Sequence, residues 1–287
     1  MSDAVSNLRN VAKVLRAMDT SDGAGVSLKR SIGTPELDML DPFLMLDSIS
    51  TDNADEYIAG FPEHPHRGFE TVTYMVEGAM RHQDSMGNEG VLRSGGAQWM
   101  TAGSGIVHSE KPEQEGGLLQ GFQLWINLPA KDKMIDPRYQ NLEPNEVQEF
   151  SPGKGVNLRL LAGEMFDKTG PINGISTNPV FVDVKLDAGA EVTIPLPKGH
   201  AAVVYVFIGD AVVAQKDVPT HHLAVLANGE GVTLTGGEDG GRMLVIAARP
   251  LREEVVRYGP FVMSSKKDLM QAFDDFQNGN FVRKAAS

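Results

Sequence analysis

His64, His66, His108 and Glu110 are the residues of this chain whose types and spacing point most directly to chemistry. They lie in FPEHPHRGFETVTYMVEG and QWMTAGSGIVHSE, at the ends of segments that otherwise alternate as strands do. Side chains two apart in an extended chain share a face, so His64 goes with His66 and His108 with Glu110. Two such pairs facing each other make a four-point ligand set. Neutral imidazoles with one carboxylate suit borderline first-row metals, non-haem Fe(II) first, with Cu, Ni, Mn, Co and Zn as competitors. Ca and Mg prefer all-oxygen cages. A lone His-x-His in a strand often does no more than hydrogen-bond, and it is the second His-x-Glu behind a Gly-rich turn that favours a metal. Glu70 shares parity with His64 and His66 and rivals Glu110 for the carboxylate position. His82, in the polar stretch RHQDSMG, reads as a surface residue or as a neighbour of the site. Trp99 and Met100 read as core residues able to wall a pocket.

Composition bounds what can carry such a site. At 287 residues, 41% of them hydrophobic, the chain can fill two cores of ordinary domain size. With 26 basic against 38 acidic residues the net charge is -12, which repels a phosphate backbone and argues against direct nucleic-acid binding. Cysteine is absent, so a metal has only nitrogen and oxygen donors to choose from. MSDAVSNLRNVAKV lacks the apolar core of a signal peptide and no run reaches 18 apolar residues, so the expectation is a cytoplasmic protein without membrane contact.

The elements that must hold the site read mostly as short strands. Near the N-terminus Leu8, Val11, Val14, Leu15 and Met18 have helical spacing, whereas Val26, Leu28 and Ile32 alternate as in a strand. LDMLDPFLMLDSIS reads as a strand and turn. From Arg67 on, Phe69, Thr71, Thr73 and Met75 share one face, with Glu70, Val72, Tyr74 and Val76 on the other. In LLQGFQLWINLP, Phe122, Leu124 and Ile126 oppose Gln123, Trp125 and Asn127. Residues 130–144, polar and proline-marked, read as a crossover between domains, giving an expected division into 1–143 with the metal and 144–287 without it. The second half supplies strands such as VNLRLLAG, FVDVKL and AAVVYVFIGD. If Gly209 is laid on Gly78, Pro195, Pro197 and Ala201 take the places of His64, His66 and Glu70. The adjacent His221 and His222 point to opposite faces of a strand and read as structural or surface residues. SSKKDLMQAFDDFQNGNF reads as a helix capped by Ser265 with Asp268, striped by Leu269, Phe273 and Phe276, and stopped at Gly279.

Taken together, FPEHPHRGFETVTYMVEG, QWMTAGSGIVHSE, RSIGTPELDMLDPFLMLD and RYGPFVM resemble the pirin family of the cupin superfamily. The resemblance implies an all-β bicupin: two antiparallel cupin-type barrels with a metal in the N-terminal one alone, and here a short C-terminal helix. It implies Fe(II) held by His64, His66, His108 and Glu110, since pirins take the carboxylate from the second motif, where general cupins take it from the position of Glu70. Thr101 replaces the usual second-motif proline, as in pirins. The implied activity is that of quercetin 2,3-dioxygenase, which opens a flavonol ring with O2 and releases carbon monoxide. In that reaction Glu110 is also the candidate base for the flavonol hydroxyl proton. The alternative is a non-enzymatic iron-dependent regulator acting through protein partners.

Overall fold

The computed structural model describes residues 7–282, and among them strands dominate, with one α-helix at Lys266–Gln277. The chain folds into two compact units, neither of them continuous in sequence. One contains Asp19–Gly33, Phe43–Pro144 and the chain from Leu251 on; the other contains the chain up to Met18, Thr34–Pro42 and Asn145–Pro250.

The unit that carries the histidines is built on two antiparallel sheets, with a two-stranded ribbon of Val256–Tyr258 and Phe261–Met263 besides. The larger orders seven strands as Arg138–Leu142, Ala97–Thr101, Phe69–Glu77, Leu119–Asn127, Phe43–Thr51, Val26–Ile32 and Met18–Asp22. The smaller orders Phe61–His66, Ile106–Pro112, Ala79–Asp84 and Glu89–Arg93. Alternation explains the larger sheet: in Phe69–Glu77 the face with Thr73 and Met75 lines a cavity, and the opposite face buries Glu70, Val72 and Tyr74. The stretch 130–144, expected as a crossover, is not all connection. Arg138–Leu142 adds an edge strand beside Ala97–Thr101, and the change of unit comes at Pro144/Asn145.

The other unit is built on a nine-stranded sheet whose interior is filled by branched apolar side chains, among them Leu158, Leu160, Val182, Val184, Val204 and Val245. Its edge is Val11–Arg16, paired with His222–Leu226. The helical spacing of this N-terminal segment is therefore overridden by a partner roughly two hundred residues away, as tertiary context does with weak local signals. His221 sits in a left-handed turn and His222 opens the strand that follows.

The C-terminal segment departs from the two-way division as well. The helix, expected to end the second domain, belongs to the histidine-bearing unit. Ser265 caps it by accepting from Asp268 N at 3.1 Å and Gly279 follows its end with a positive φ of 74°. Ala272, Leu269 and Phe273 pack with Phe261, Phe281 and Val107, the neighbour of His108, while Phe276 stays 43% exposed. Two buried cations tie the segment down. Arg67 donates to Asp275 Oδ2 at 2.6 Å and to Phe281 O at 3.2 Å, beside His66 in the chain. Lys133 Nζ donates to Gly68 O, Asn127 Oδ1 and Val262 O at 2.7–2.9 Å. Burial pushes Lys133 down to about 7, with Glu253 opposing, while three carbonyl oxygens match the three N–H bonds of the charged form. Gly68 itself must be glycine, for at φ +87° a Cβ would meet Val262 O at 2.0 Å. Lys133→Met leaves three acceptors unpaired and is expected to lower stability by about 2–4 kcal/mol in urea unfolding; a loss below about 0.5 kcal/mol would deny the pin.

Candidate metal centre

Strand pairing assembles the site. Ile106–Pro112 runs antiparallel beside Phe61–His66 with His108 opposite His64, Ile106 opposite His66, and a bulge before Glu110. The pair His64 and His66 and the pair His108 and Glu110, expected to face each other, thus lie side by side on adjacent strands of one sheet. Opposed residues of neighbouring strands project to the same side, and the rings converge. Centroid separations are 4.4 Å for His64–His108, 4.6 Å for His64–His66 and 4.9 Å for His66–His108. One ring nitrogen from each lies within 4.8 Å of the others, the arrangement of a group that could hold a metal.

The nitrogens are placed for it. Both ring nitrogens of His66 and of His108 are buried without a hydrogen-bond partner, a costly state unless something accepts their lone pairs. His64 Nδ1 lies 2.8 Å from Pro62 O, which makes it the donor and leaves Nε2 as the lone pair. Burial first, then His108 and His64, hold His66 well below the ordinary imidazole range, and burial, His64 and His82 do the same for His108. Both rings are therefore neutral at neutral pH, the ligating form. A borderline divalent metal fits these residues.

The two candidate carboxylates part company. Glu110 is buried, lines the same cavity as His64 and His66, and accepts from Thr73 Oγ1 at 3.1 Å across the two sheets. Its carboxylate is not within the tight three-imidazole group. Burial raises its pKa, opposed by His64 and by the Thr73 hydrogen bond. Glu70 lies on the opposite face of its strand from Thr73 and accepts from Thr101 Oγ1 at 2.7 Å. Burial raises it to about 7, with Thr101 the largest opposing influence. The shared parity with His64 and His66 is broken because Arg67 and Gly68 turn the chain from the smaller sheet into the larger. Thr101, in the place of a proline, thus serves Glu70.

His82 is buried rather than on the surface, with Gln98 Nε2 at 2.9 Å from its ring and Tyr139 stacked on it. Trp99 and Met100 are core residues outside the cavity lining. The wall is built instead by residues whose type gave no signal: Trp125, Met45 and Met75, with Thr73 and Gln123 between them. The cavity holds about 810 Å³, and Tyr258, Gly259 and Pro260 of the C-terminal segment also line it. His108 lies behind this lining, 2% exposed.

Residues 25–126 match the Pirin family model and residues 181–282 match the Pirin C-terminal cupin domain. The chain is 48% identical over 275 residues to a pirin-like protein of Caulobacter vibrioides, spanning 96% of this chain and 99% of that one. It is 45% identical over 282 residues to a Pseudomonas aeruginosa protein with the provisional name quercetin 2,3-dioxygenase, spanning 96% and 99% of the two. A crystal structure of quercetin 2,3-dioxygenase from Acinetobacter baumannii is similar with a TM-score of 0.88 and 32% identity, over 96% of this chain and 98% of that one. No helix among the described residues is long and apolar enough to cross a membrane. With identity this deep over nearly the whole length, and both domain models met in order, the protein belongs to the pirin family, built of two cupin domains.

Proposed function

We propose that the protein is a metal-dependent dioxygenase that opens the ring of a flavonol with O2, a quercetin 2,3-dioxygenase activity. The observation that carries this reading is the set of buried, partnerless imidazole nitrogens gathered at a mostly apolar cavity with a buried carboxylate in its wall. Similarity to proteins named for that activity supports it. His64, His66, His108 and Glu110 would hold the metal, Fe(II) before Cu, Ni, Mn, Co or Zn. Such a metal supplies Lewis-acid stabilisation of a deprotonated substrate oxygen and a path for electrons to O2.

The chain's own residues do the rest. Glu110 takes the proton of the flavonol hydroxyl, a task for which a carboxylate raised by burial is suited. Thr73 fixes it through Oε1, and among the described residues no hydrogen bond reaches Oε2. Met45, Met75 and Trp125 give the planar rings apolar contact and exclude water.

Protein reconstituted separately with Fe(II), Cu(II), Ni(II) and Mn(II) is expected to bleach the flavonol absorption band in air with at least one of them, with carbon monoxide released in equal amount. No bleaching with any of the four would remove the enzymatic reading.

A further inference from the structure

One row of polar side chains crosses the cavity wall formed by the seven-stranded sheet. Pairing sets Arg30 opposite Asp47, Asp47 opposite Gln123, Gln123 opposite Thr73 and Thr73 opposite Gln98, so these side chains stand in line on the inner face. The rows on either side are apolar or small: Met45 opposite Trp125 on one side, Ile49 opposite Gly121 and Gly121 opposite Met75 on the other. A polar row inside a barrel costs free energy that apolar residues would not, and a folding role alone gives no reason for it.

Part of the row satisfies itself. Arg30 donates to both oxygens of Asp47 at 2.8 and 2.7 Å and to Asp22 at 3.0 Å. Thr73 Oγ1 lies 2.6 Å from Gln123 Oε1 and 3.1 Å from Glu110 Oε1. One hydroxyl proton cannot serve two acceptors. Turning the Gln123 amide over lets its NH2 donate to Thr73 while Thr73 donates to Glu110, leaving the carbonyl oxygen to the cavity. In either orientation one polar end of Gln123 remains unengaged and faces a cavity that the residue lines. Arg30, also in the lining, has a second such group, since among the described residues Nη1 receives no partner. Neither Gln123 Nε2 nor Arg30 Nη1 is sealed in the core.

We propose that Gln123, with Arg30 beyond it, is a specificity subsite that reads hydroxyl groups on the part of a planar aromatic substrate lying away from the histidines. From Thr73 to Arg30 are three inter-strand steps, roughly 14 Å at about 4.8 Å each, the reach of a three-ring planar molecule. The apolar rows take its faces and the polar row takes its edge. The subsite rests on the flavonol reading above, but it is a statement about binding and is tested as one.

The probes are quercetin and 3-hydroxyflavone, which share the flavonol core and 3-hydroxyl and differ in the remaining hydroxyls. Dissociation constants are measured by calorimetry for wild type, Gln123→Leu and Arg30→Gln, each with and without metal. Wild type is expected to prefer quercetin by roughly tenfold or more. Gln123→Leu should bring the preference close to one while keeping its affinity for 3-hydroxyflavone, which also shows that the variant is folded; Arg30→Gln should reduce it by a smaller factor. An unchanged preference in both variants overturns the subsite, as does failure of wild type to bind either flavonol saturably. Lost preference in Gln123→Leu with no turnover under any metal keeps the subsite and removes the oxidation. Turnover with an unchanged preference does the reverse.

Discussion

His64→Ala is expected to leave a folded protein that no longer retains a divalent metal and no longer consumes flavonol. His64 is half-buried and lines the cavity, so alanine there enlarges an existing space rather than opening a void in a packed core. Its stability without metal should stay within about 1 kcal/mol of wild type. Metal affinity should fall by more than about 100-fold, because changes merely behind a ligand already cost 10–100-fold. Wild type at a metal concentration of 100 Kd gains about 2.7 kcal/mol of stability, and the variant should gain no more than about 0.4 kcal/mol. Metal content after gel filtration and the metal-dependent rise in Tm read the two effects separately. A variant that keeps both its metal and its rate would take His64 out of the site.

Glu110→Gln is expected to behave differently, keeping part of the metal while losing rate by about 10²–10⁴-fold, the usual worth of a positioned general base. The amide preserves shape and still accepts from Thr73, but it cannot take a proton. Glu70→Gln is the control that separates the two carboxylates. Glu70 faces away from the cavity wall and holds Thr101, so its substitution should leave metal content unchanged and rate within a few-fold. A greater loss of metal in Glu70→Gln than in Glu110→Gln would reverse the assignment of the carboxylate.

Much of this site is legible in the amino-acid order alone, for a physical reason. Period-two alternation puts His64 with His66 and His108 with Glu110 whatever the fold, and the absence of cysteine narrows the donors to nitrogen and oxygen. What alternation cannot supply is register. Nothing local says that His108 stands opposite His64, that a bulge separates it from Glu110, or that Gln123 stands between Asp47 and Thr73. Glu70 is a fair rival only for a strand that runs unbroken from His64; the positive φ at Gly68 ends that continuity. The exchanged ends are illegible for the same reason. Val11–Arg16 is a strand because His222–Leu226 pairs with it, and the C-terminal helix joins the histidine-bearing unit because Arg67 and Lys133 hold its segment there. These are contacts across more than a hundred residues, beyond any sequence window.

The second unit explains why one site is expected rather than two. Its interior is occupied by Leu158, Val182, Val204, Val245 and their neighbours, with no grouped imidazoles among the described residues. The protein is therefore expected to hold a single ion at one place. Crystals grown with Fe(II) under anaerobic conditions and measured at the iron absorption edge test it most directly. One anomalous peak per chain is expected, among His64, His66, His108 and Glu110. An empty map under metal-replete conditions, or a peak within Asn145–Pro250, would contradict it.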